Sequence, residues 1–237
     1  MSADRVVVVF AKRPAPGAVK TRMCPPLSLD QAAALYGAML DDVLATTAAA
    51  AAEAGAAAWL AVQPADAVDE LLARCPAGFR GVPQRGSDLA ERMANALADA
   101  AAAGFARILL RGSDNPSLAG AELLRGLAAL DDADLAVGPD RDGGYGWIAL
   151  RGAPAGLFDH AMSTASVLSE TLTRAAALGL RVRTLASHFD LDTAADLALL
   201  AAARARGEAR DCTRTLALLD DLELWPAQIL GSPLPSN

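Results

Sequence analysis

In the segment Arg5–Phe10 (RVVVVF), every position from Val6 to Phe10 is apolar. A strand with one wet face alternates polar and apolar residues, whereas a strand buried on both faces reads as a continuous apolar run; such strands belong to parallel sheets covered by helices. Alanine, about a quarter of the residues, has so high a helix propensity that it blurs helix boundaries, but it leaves the strands standing out as β-branched islands. Further strands are expected at Ala57–Val62, Phe79–Pro83, Arg107–Arg111, Asp134–Gly138, Tyr145–Leu150 and Arg181–Leu185. Most are separated by segments long enough for a helix, and that alternation specifies an α/β fold with a mostly parallel central sheet flanked by helices.

The first long helix has a marked start. Ser28, with Gln31 three positions on, matches a capping box, and apolar periodicity then runs from Leu29 to about Ala52. Other helices are expected at Ala67–Arg74, Asp88–Ala103, Ala119–Leu130, Ser166–Leu178 and Ala194–Arg206, with a last one near Thr213–Leu222. No Pro/Ser-rich linker and no internal repeat interrupts the 237 residues. One domain spanning 1–237 is therefore expected, with a core over about residues 5–206 and a C-terminal helix and tail over 207–237.

A net charge of −7 argues against general affinity for nucleic acid or an anionic membrane, since a binder of phosphate backbones needs a basic surface. It leaves room for a small phosphate ligand held by a few local cations. No stretch approaches the roughly 18 apolar residues of a membrane helix, because Glu53 and Gly55 break Ala45–Ala58. The apolar run after Asp4 and Arg5 is too short for a signal peptide, so a cytoplasmic enzyme is expected. Cys24, Cys75 and Cys212 are odd in number and far apart, and so suggest reduced thiols rather than a disulfide framework or a zinc site.

Residues 11–27 (AKRPAPGAVKTRMCPPL) hold four prolines, one glycine and four cations directly after the first strand. They form a long loop at that strand's carboxyl end, the edge where open α/β sheets bind ligands. Lys12, Arg13, Lys20 and Arg22 around Gly17 could wrap a diphosphate, or be a solvated basic loop. On the same sheet edge, Gly112-Ser113-Asp114-Asn115-Pro116 follows Ile108-Leu109-Leu110; Asp114 could be an oxygen ligand of Mg²⁺, or part of a plain turn or helix cap. In His188-Phe189-Asp190-Leu191-Asp192-Thr193, Asp192 could be a second metal carboxylate, while Asp190 or Thr193 is expected to cap the following helix. Pro139–Tyr145 is either a glycine-rich wall approaching a substrate or a hairpin turn around Gly143-Gly144. His188 is also a candidate ligand or base, and His160 reads as a surface or boundary residue.

Taken in order, FAKRPAPGAVKTRM (Phe10–Met23), GSDLAERM (Gly86–Met93), GSDNPSL (Gly112–Leu118), DRDGGYGWIAL (Asp140–Leu150), MSTASVLSETLTRAAALGL (Met162–Leu180) and DLDTAADL (Asp190–Leu197) closely resemble the motif series of the DUF2064 family of bacterial GT-A-fold glycosyltransferase-like proteins. The resemblance runs from about Val6 to Leu200. It implies a Rossmann-like, nucleotide-diphosphate-binding sheet related to both nucleotide-sugar glycosyltransferases and nucleotidyltransferases. By position, it implies that Lys20 and Arg22 bind phosphates and that Asp114 and Asp192 hold Mg²⁺ or Mn²⁺. The block containing Gly86, Asp88 and Arg92 would approach the base or ribose. Ser113, Gly143, Gly144, Tyr145, Ser163 and Thr164 would line the substrate, with Asp142–Tyr145 on the sugar or acceptor side. Ser87 and Ala90 stand where glycines are common in the family, Met162 where a Trp often precedes Ser-Thr, and Ala195 where an acidic residue is frequent. These departures bear on substrate identity more than on fold.

Two reactions fit these residues. One is metal-dependent transfer of a glycosyl group from a nucleotide-diphosphate sugar to a small-molecule acceptor, with Asp142 or His188 as base. The other is a nucleotidyl transfer joining an NTP to a phosphorylated or phosphonate metabolite, with release of pyrophosphate. Either is compatible with a monomer or a homodimer.

Overall fold

Val6, Val7, Val8 and Val9 are all completely buried, each contributing about 1.5–3 kcal/mol relative to exposure. They belong to β1 (Arg5–Lys12), which lies inside a single seven-stranded sheet. The computed structural model describes residues 4–162 and 164–225. The other strands are β2 (Ala57–Gln63), β3 (Phe79–Pro83), β4 (Arg107–Arg111), β5 (Leu135–Pro139), β6 (Tyr145–Arg151) and β7 (Val182–Thr184). Their order is β3-β2-β1-β4-β6-β5-β7. Every pairing is parallel except those of β6, which runs against both β4 and β5.

Seven helices accompany the sheet among the described residues: α1 (Leu29–Ala54), α2 (Val68–Leu72), α3 (Leu89–Ala102), α4 (Gly120–Ala129), α5 (Val167–Ala177), α6 (Asp196–Ala205) and α7 (Thr213–Asp221). The two faces of β1 sort them. Val6 and Val8 pack with Met93 and Leu97 of α3 and Ala175 of α5. On the other face, Val9 packs with Leu40, Val43 and Leu44 of α1, and Val7 with Leu123 and Leu127 of α4. Outside α1, a further layer forms where Leu35 and Met39 meet Leu197 and Leu200 of α6 and Leu219 of α7. No helix among the described residues is long and apolar enough to cross a membrane, and the three cysteines are free thiols.

The elements follow the sequence signals closely. At the start of α1, Ser28 Oγ accepts from the Gln31 amide at 3.1 Å and the Ser28 amide donates to Gln31 Oε1 at 2.9 Å, the reciprocal capping box. The helix stops at Gly55, in the left-handed conformation (φ 61°) that glycine adopts without steric cost. Asp88 is the N-cap of α3, accepting from the Glu91 amide at 2.9 Å. The start of α6 departs from expectation: neither Asp190 nor Thr193 caps it. Asp196, inside the first turn, instead reaches back and accepts from the amides of Asp192 and Thr193 and from the Thr193 hydroxyl.

Helix α7 receives its cap from elsewhere in the chain. Asp42 of α1, fully buried, accepts from the amides of Arg214 at 3.0 Å and Thr215 at 2.8 Å. These are donors that a helix N-terminus leaves open, and the negative carboxylate also complements its dipole. Asp42→Ala is expected to lower stability by about 2 kcal/mol, because it orphans two amides and opens a small hole. Urea unfolding measures this; a loss under about 0.5 kcal/mol, the usual range for an unremarkable surface substitution, would rule out the cap.

Candidate functional site

The carboxyl ends of β1 and β4 and the amino end of the reversed strand β6 fall on one edge of the sheet. A cavity of about 790 Å³ opens there. It is lined from the β1–α1 loop by Lys12, Lys20 and Arg22, from the β4 end by Arg111, Ser113 and Asp114, from the β5–β6 turn by Asp142, Gly144 and Tyr145, and from the segment before α6 by Asp190 and Asp192. Arg92 of α3 and Thr164 also line it. Charged side chains that are far apart in sequence thus share one space.

The closest association is between residues of opposite charge. The Lys20 ammonium lies between Asp114 and Asp192, in contact with Asp114 Oδ1 and 2.9 Å from Asp192 Oδ1. Arg22 pairs with the other oxygen of Asp192. The Lys20 side chain is only 4% exposed. Burial works against its charge, but the two carboxylates outweigh burial and hold the ammonium more firmly protonated than an ordinary lysine. Burial likewise works against the charge of Asp192, and Lys20 and Arg22 reverse that, keeping its carboxyl below the usual range. Lys20 has a left-handed backbone (φ 48°, ψ 32°), a conformation that costs a non-glycine residue about 1–2 kcal/mol.

Two cavity side chains are held from behind by hydrogen bonds. The buried Tyr36 hydroxyl accepts from the Lys12 amide at 2.9 Å and lies 2.7 Å from Ser113 Oγ. Either oxygen can be the donor in that pair; when Tyr36 donates, the Ser113 hydroxyl proton is left for a ligand in the cavity. Burial pushes the Tyr36 hydroxyl up to about 12, so it stays protonated throughout the neutral range. Gln84 also lines the cavity; its amide nitrogen donates to the carbonyls of Ala11 at 3.1 Å and Ala61 at 2.9 Å. Both N–H groups are engaged, so Gln84 presents an acceptor.

Arg111 is almost fully buried, and burial lowers its guanidinium to about 10 against the opposing pull of Asp190. It donates to Thr47 Oγ1 and to the Asn115 carbonyl, both at 3.1 Å, and so braces the loop that carries Ser113 and Asp114. Asp190 is pushed well above the ordinary carboxylate range by burial first, then by Asp114 and Asp140. With its folded value raised, Asp190 opposes folding progressively as pH climbs from its ordinary value of 3.8 through the raised one, and the full penalty is present above that. Asp190→Asn is therefore expected to raise the melting temperature at pH 7. The gain should vanish toward pH 4, and an equal shift at both pH values would exclude this cause.

Other residues singled out in the sequence stand apart from the cavity. Arg13 pairs with Asp66 and Glu70 at 2.9 and 2.8 Å. Gly17, Gly86, Asp88 and Gly143 are not among the lining residues, although Gly143 anchors the wall: a Cβ there would come within 2.1 Å of the Ala165 carbonyl, and its own carbonyl accepts from the Leu168 amide at 3.0 Å. His188 faces α4, with Nε2 3.7 Å from Glu122 Oε2, and does not line the cavity. Ser163 lies outside the described residues. His160 is a boundary residue, intermediate in burial with its side chain turned inward at 3% exposed; Nε2 is 3.0 Å from Thr171 Oγ1, which lies 3.4 Å from the hydroxyl of cavity-lining Tyr145. Tyr36, Gln84 and Arg111 were not singled out. Gln84 directly follows a strand, which was the one available signal, whereas Tyr36 reads as core periodicity.

The family model described as "Uncharacterized protein conserved in bacteria (DUF2064)" matches residues 46–164. A crystal structure of a "putative nucleotide-diphospho-sugar transferase" from Desulfovibrio desulfuricans G20 is 30% identical over 98% of this chain and 100% of that one, with a TM-score of 0.84. The chain belongs to the DUF2064 family. This DUF2064 protein shares its fold with 4-diphosphocytidyl-2C-methyl-D-erythritol synthase from Anaerococcus prevotii DSM 20548, at 12% identity over 84% of this chain and 97% of that one (TM-score 0.55). The bifunctional IspDF from Campylobacter jejuni aligns at 11% identity over 82% of this chain and 53% of its own length (TM-score 0.50). At these identities the likeness shows the α/β fold alone. No match was found among curated proteins.

Proposed function

We propose that this DUF2064 protein is a metal-dependent transferase that moves a glycosyl group from a nucleotide-diphosphate sugar to a small-molecule acceptor. The observation that carries this reading is the meeting, in one cavity, of Lys20 and Arg22 with Asp114 and Asp192. The kinship with a protein described as a nucleotide-diphospho-sugar transferase supports it. We read the chain as one nucleotide-diphosphate-binding domain, with its core over about residues 5–206 and its C-terminal helix laid against α1, and as a cytoplasmic enzyme.

Mg²⁺ or Mn²⁺ is implied by this reading, and the donor set fits it. Asp114 and Asp192 are hard oxygen donors whose Oδ1 atoms already converge on one cation, the Lys20 ammonium. Among the described residues no three His, Cys, Asp or Glu side chains form a ready metal cage. Mg²⁺ commonly takes only one or two protein carboxylates, and substrate phosphate oxygens complete its shell. The bound metal would supply electrostatic stabilisation of the leaving diphosphate.

The chain's own groups do the rest. Lys20 and Arg22 pair with phosphate oxygens, and Ser113 donates its hydroxyl proton to the ligand while accepting from Tyr36. Arg92 and Gln84 stand on the base or ribose side, and Tyr145 and Thr164 on the sugar side. Asp142 lines the cavity, its Oδ1 held by the Gly144 amide at 2.8 Å, and is the base we assign for an inverting transfer. In that step the bond from the sugar to the diphosphate breaks with its electron pair leaving on oxygen. The acceptor hydroxyl oxygen forms the new bond, and its proton passes to Asp142.

Calorimetric titration against UDP-glucose, GDP-mannose, UTP, CTP and GTP, with and without Mn²⁺, tests the reading. The expected result is metal-dependent binding of a diphosphate sugar at least tenfold, about 1.4 kcal/mol, tighter than any triphosphate. A preference for a triphosphate would replace it with nucleotidyl transfer and release of pyrophosphate. Equal affinity with and without metal would remove the metal from the mechanism.

A further inference from the structure

The cations expected to hold phosphates are paired with the carboxylates expected to hold metal. Lys20 satisfies Asp114 and Asp192 together, and Arg22 takes the remaining oxygen of Asp192. The cluster of two cations and two anions is formally neutral. It is also built rather than incidental: the Lys20 side chain is 4% exposed, and the loop holds its backbone in the left-handed region. A non-glycine residue is held there only where the surrounding structure overrides the cost. The same two Oδ1 atoms cannot serve the ammonium and a divalent cation at full strength, and the same ammonium cannot serve two carboxylates and a diphosphate.

We propose that Lys20 is an exchange cation: it stands in for the divalent metal between Asp114 and Asp192 and is released to the diphosphate when the metal binds, so that metal and diphosphate bind with obligatory positive coupling. This rests on the reading of the cavity as a metal–diphosphate site. Metal alone has to displace Lys20, and diphosphate alone has to draw Lys20 and Arg22 off their carboxylates. When both bind, each removes the cost that the other would meet, and that difference is the coupling free energy. Lys20 also neutralises two half-buried carboxylates that, left unpaired, would repel each other and an approaching nucleotide.

Two measurements test the exchange from opposite sides, neither of them an activity assay. In the first, free Mn²⁺ is counted by electron paramagnetic resonance as each protein is titrated with the metal alone. Lys20→Met is expected to bind Mn²⁺ at least tenfold tighter than the unmodified protein, and the gain should disappear in Lys20→Met/Asp114→Asn. Lys20→Gln, which keeps a polar head, provides the same readout if the methionine variant does not fold. In the second, inorganic pyrophosphate is titrated in EDTA. Asp192→Asn is expected to bind it at least fivefold tighter, because Arg22 loses its carboxylate and Lys20 is left with Asp114 alone, although the substitution removes a residue that the site is read as needing.

An unchanged or weaker Mn²⁺ affinity in both Lys20 variants, with metal-dependent nucleotide binding intact in the unmodified protein, overturns the exchange and leaves the proposed function standing. Pyrophosphate binding no tighter in Asp192→Asn than in the unmodified protein overturns it as well. If no variant binds Mn²⁺ and nucleotide binding is indifferent to metal, the exchange and the metal-dependent reading fail together.

Discussion

Gly138→Ala is expected to destabilise the protein by about 3 kcal/mol, the upper part of the usual range for overpacking a core. A Cβ built on Gly138 would lie 2.1 Å from Trp147 Nε1 and 2.3 Å from Cε2. Trp147 is almost completely buried in the middle of β6. It cannot retreat, because a Cβ on Gly126 of α4 would also come within 2.7 Å of its ring: the indole fills the space that two missing side chains leave between helix and sheet. Urea unfolding gives the size of the effect, and Trp147→Phe in the Gly138→Ala background should restore part of the loss, as coupled neighbours do. A loss below about 1 kcal/mol would mean that the strand relaxes around the methyl group.

The other large effect is functional. Asp114→Ala is expected to weaken metal-dependent nucleotide binding and turnover at least hundredfold, about 2.7 kcal/mol, the magnitude seen when one preorganised electrostatic contact is removed. Lys20 keeps Asp192 as a partner at 2.9 Å, so the melting temperature should fall by only a few degrees for a domain of this size. Calorimetry with the nucleotide that the unmodified protein prefers, run beside thermal unfolding, separates the two consequences. Binding within threefold of the original would remove Asp114 from the site.

The fold was legible in the sequence because its determinants are local. Val6–Val9 announced a doubly buried strand, and Ser28 with Gln31 the start of α1, whose apolar periodicity to about Ala52 stops two residues short of the observed end at Ala54. The edge that carries the candidate site was legible for a related reason: parallel strands deliver their carboxyl ends to one edge, so the loops that carry Lys20 and Asp114 were expected on the same side of the sheet. Contacts that depend on three-dimensional closure were not legible. Asp42 reads as one more polar position on an amphipathic helix, yet its partners, Arg214 and Thr215, are more than 170 residues away. His188 comes shortly after a strand and adjoins the Asp190–Asp192 motif, but its amide donates to the Pro139 carbonyl at 2.9 Å and its ring turns toward Glu122. The mutual neutralisation of Lys20, Arg22, Asp114 and Asp192 was equally hidden, since a pattern of charges along a chain does not say which of them will meet.

The reversal of β6 has a bearing on how the wall of the cavity can vary. Because β6 runs against its neighbours, the turn from Pro139 to Tyr145 hangs over the cavity from two strand ends whose pairing is already complete. Residues inserted there would lengthen the cavity wall without moving a single strand register, provided that glycine is kept at 143, where the turn rests on the Ala165 backbone. The side that carries Lys20 has no such freedom, since Lys20 is paired with Asp114 and Asp192 and Ser113 with Tyr36, all from other parts of the chain. One half of the cavity is thus an interchangeable part and the other a fixed socket, and a search for altered substrate choice should begin by grafting the turn.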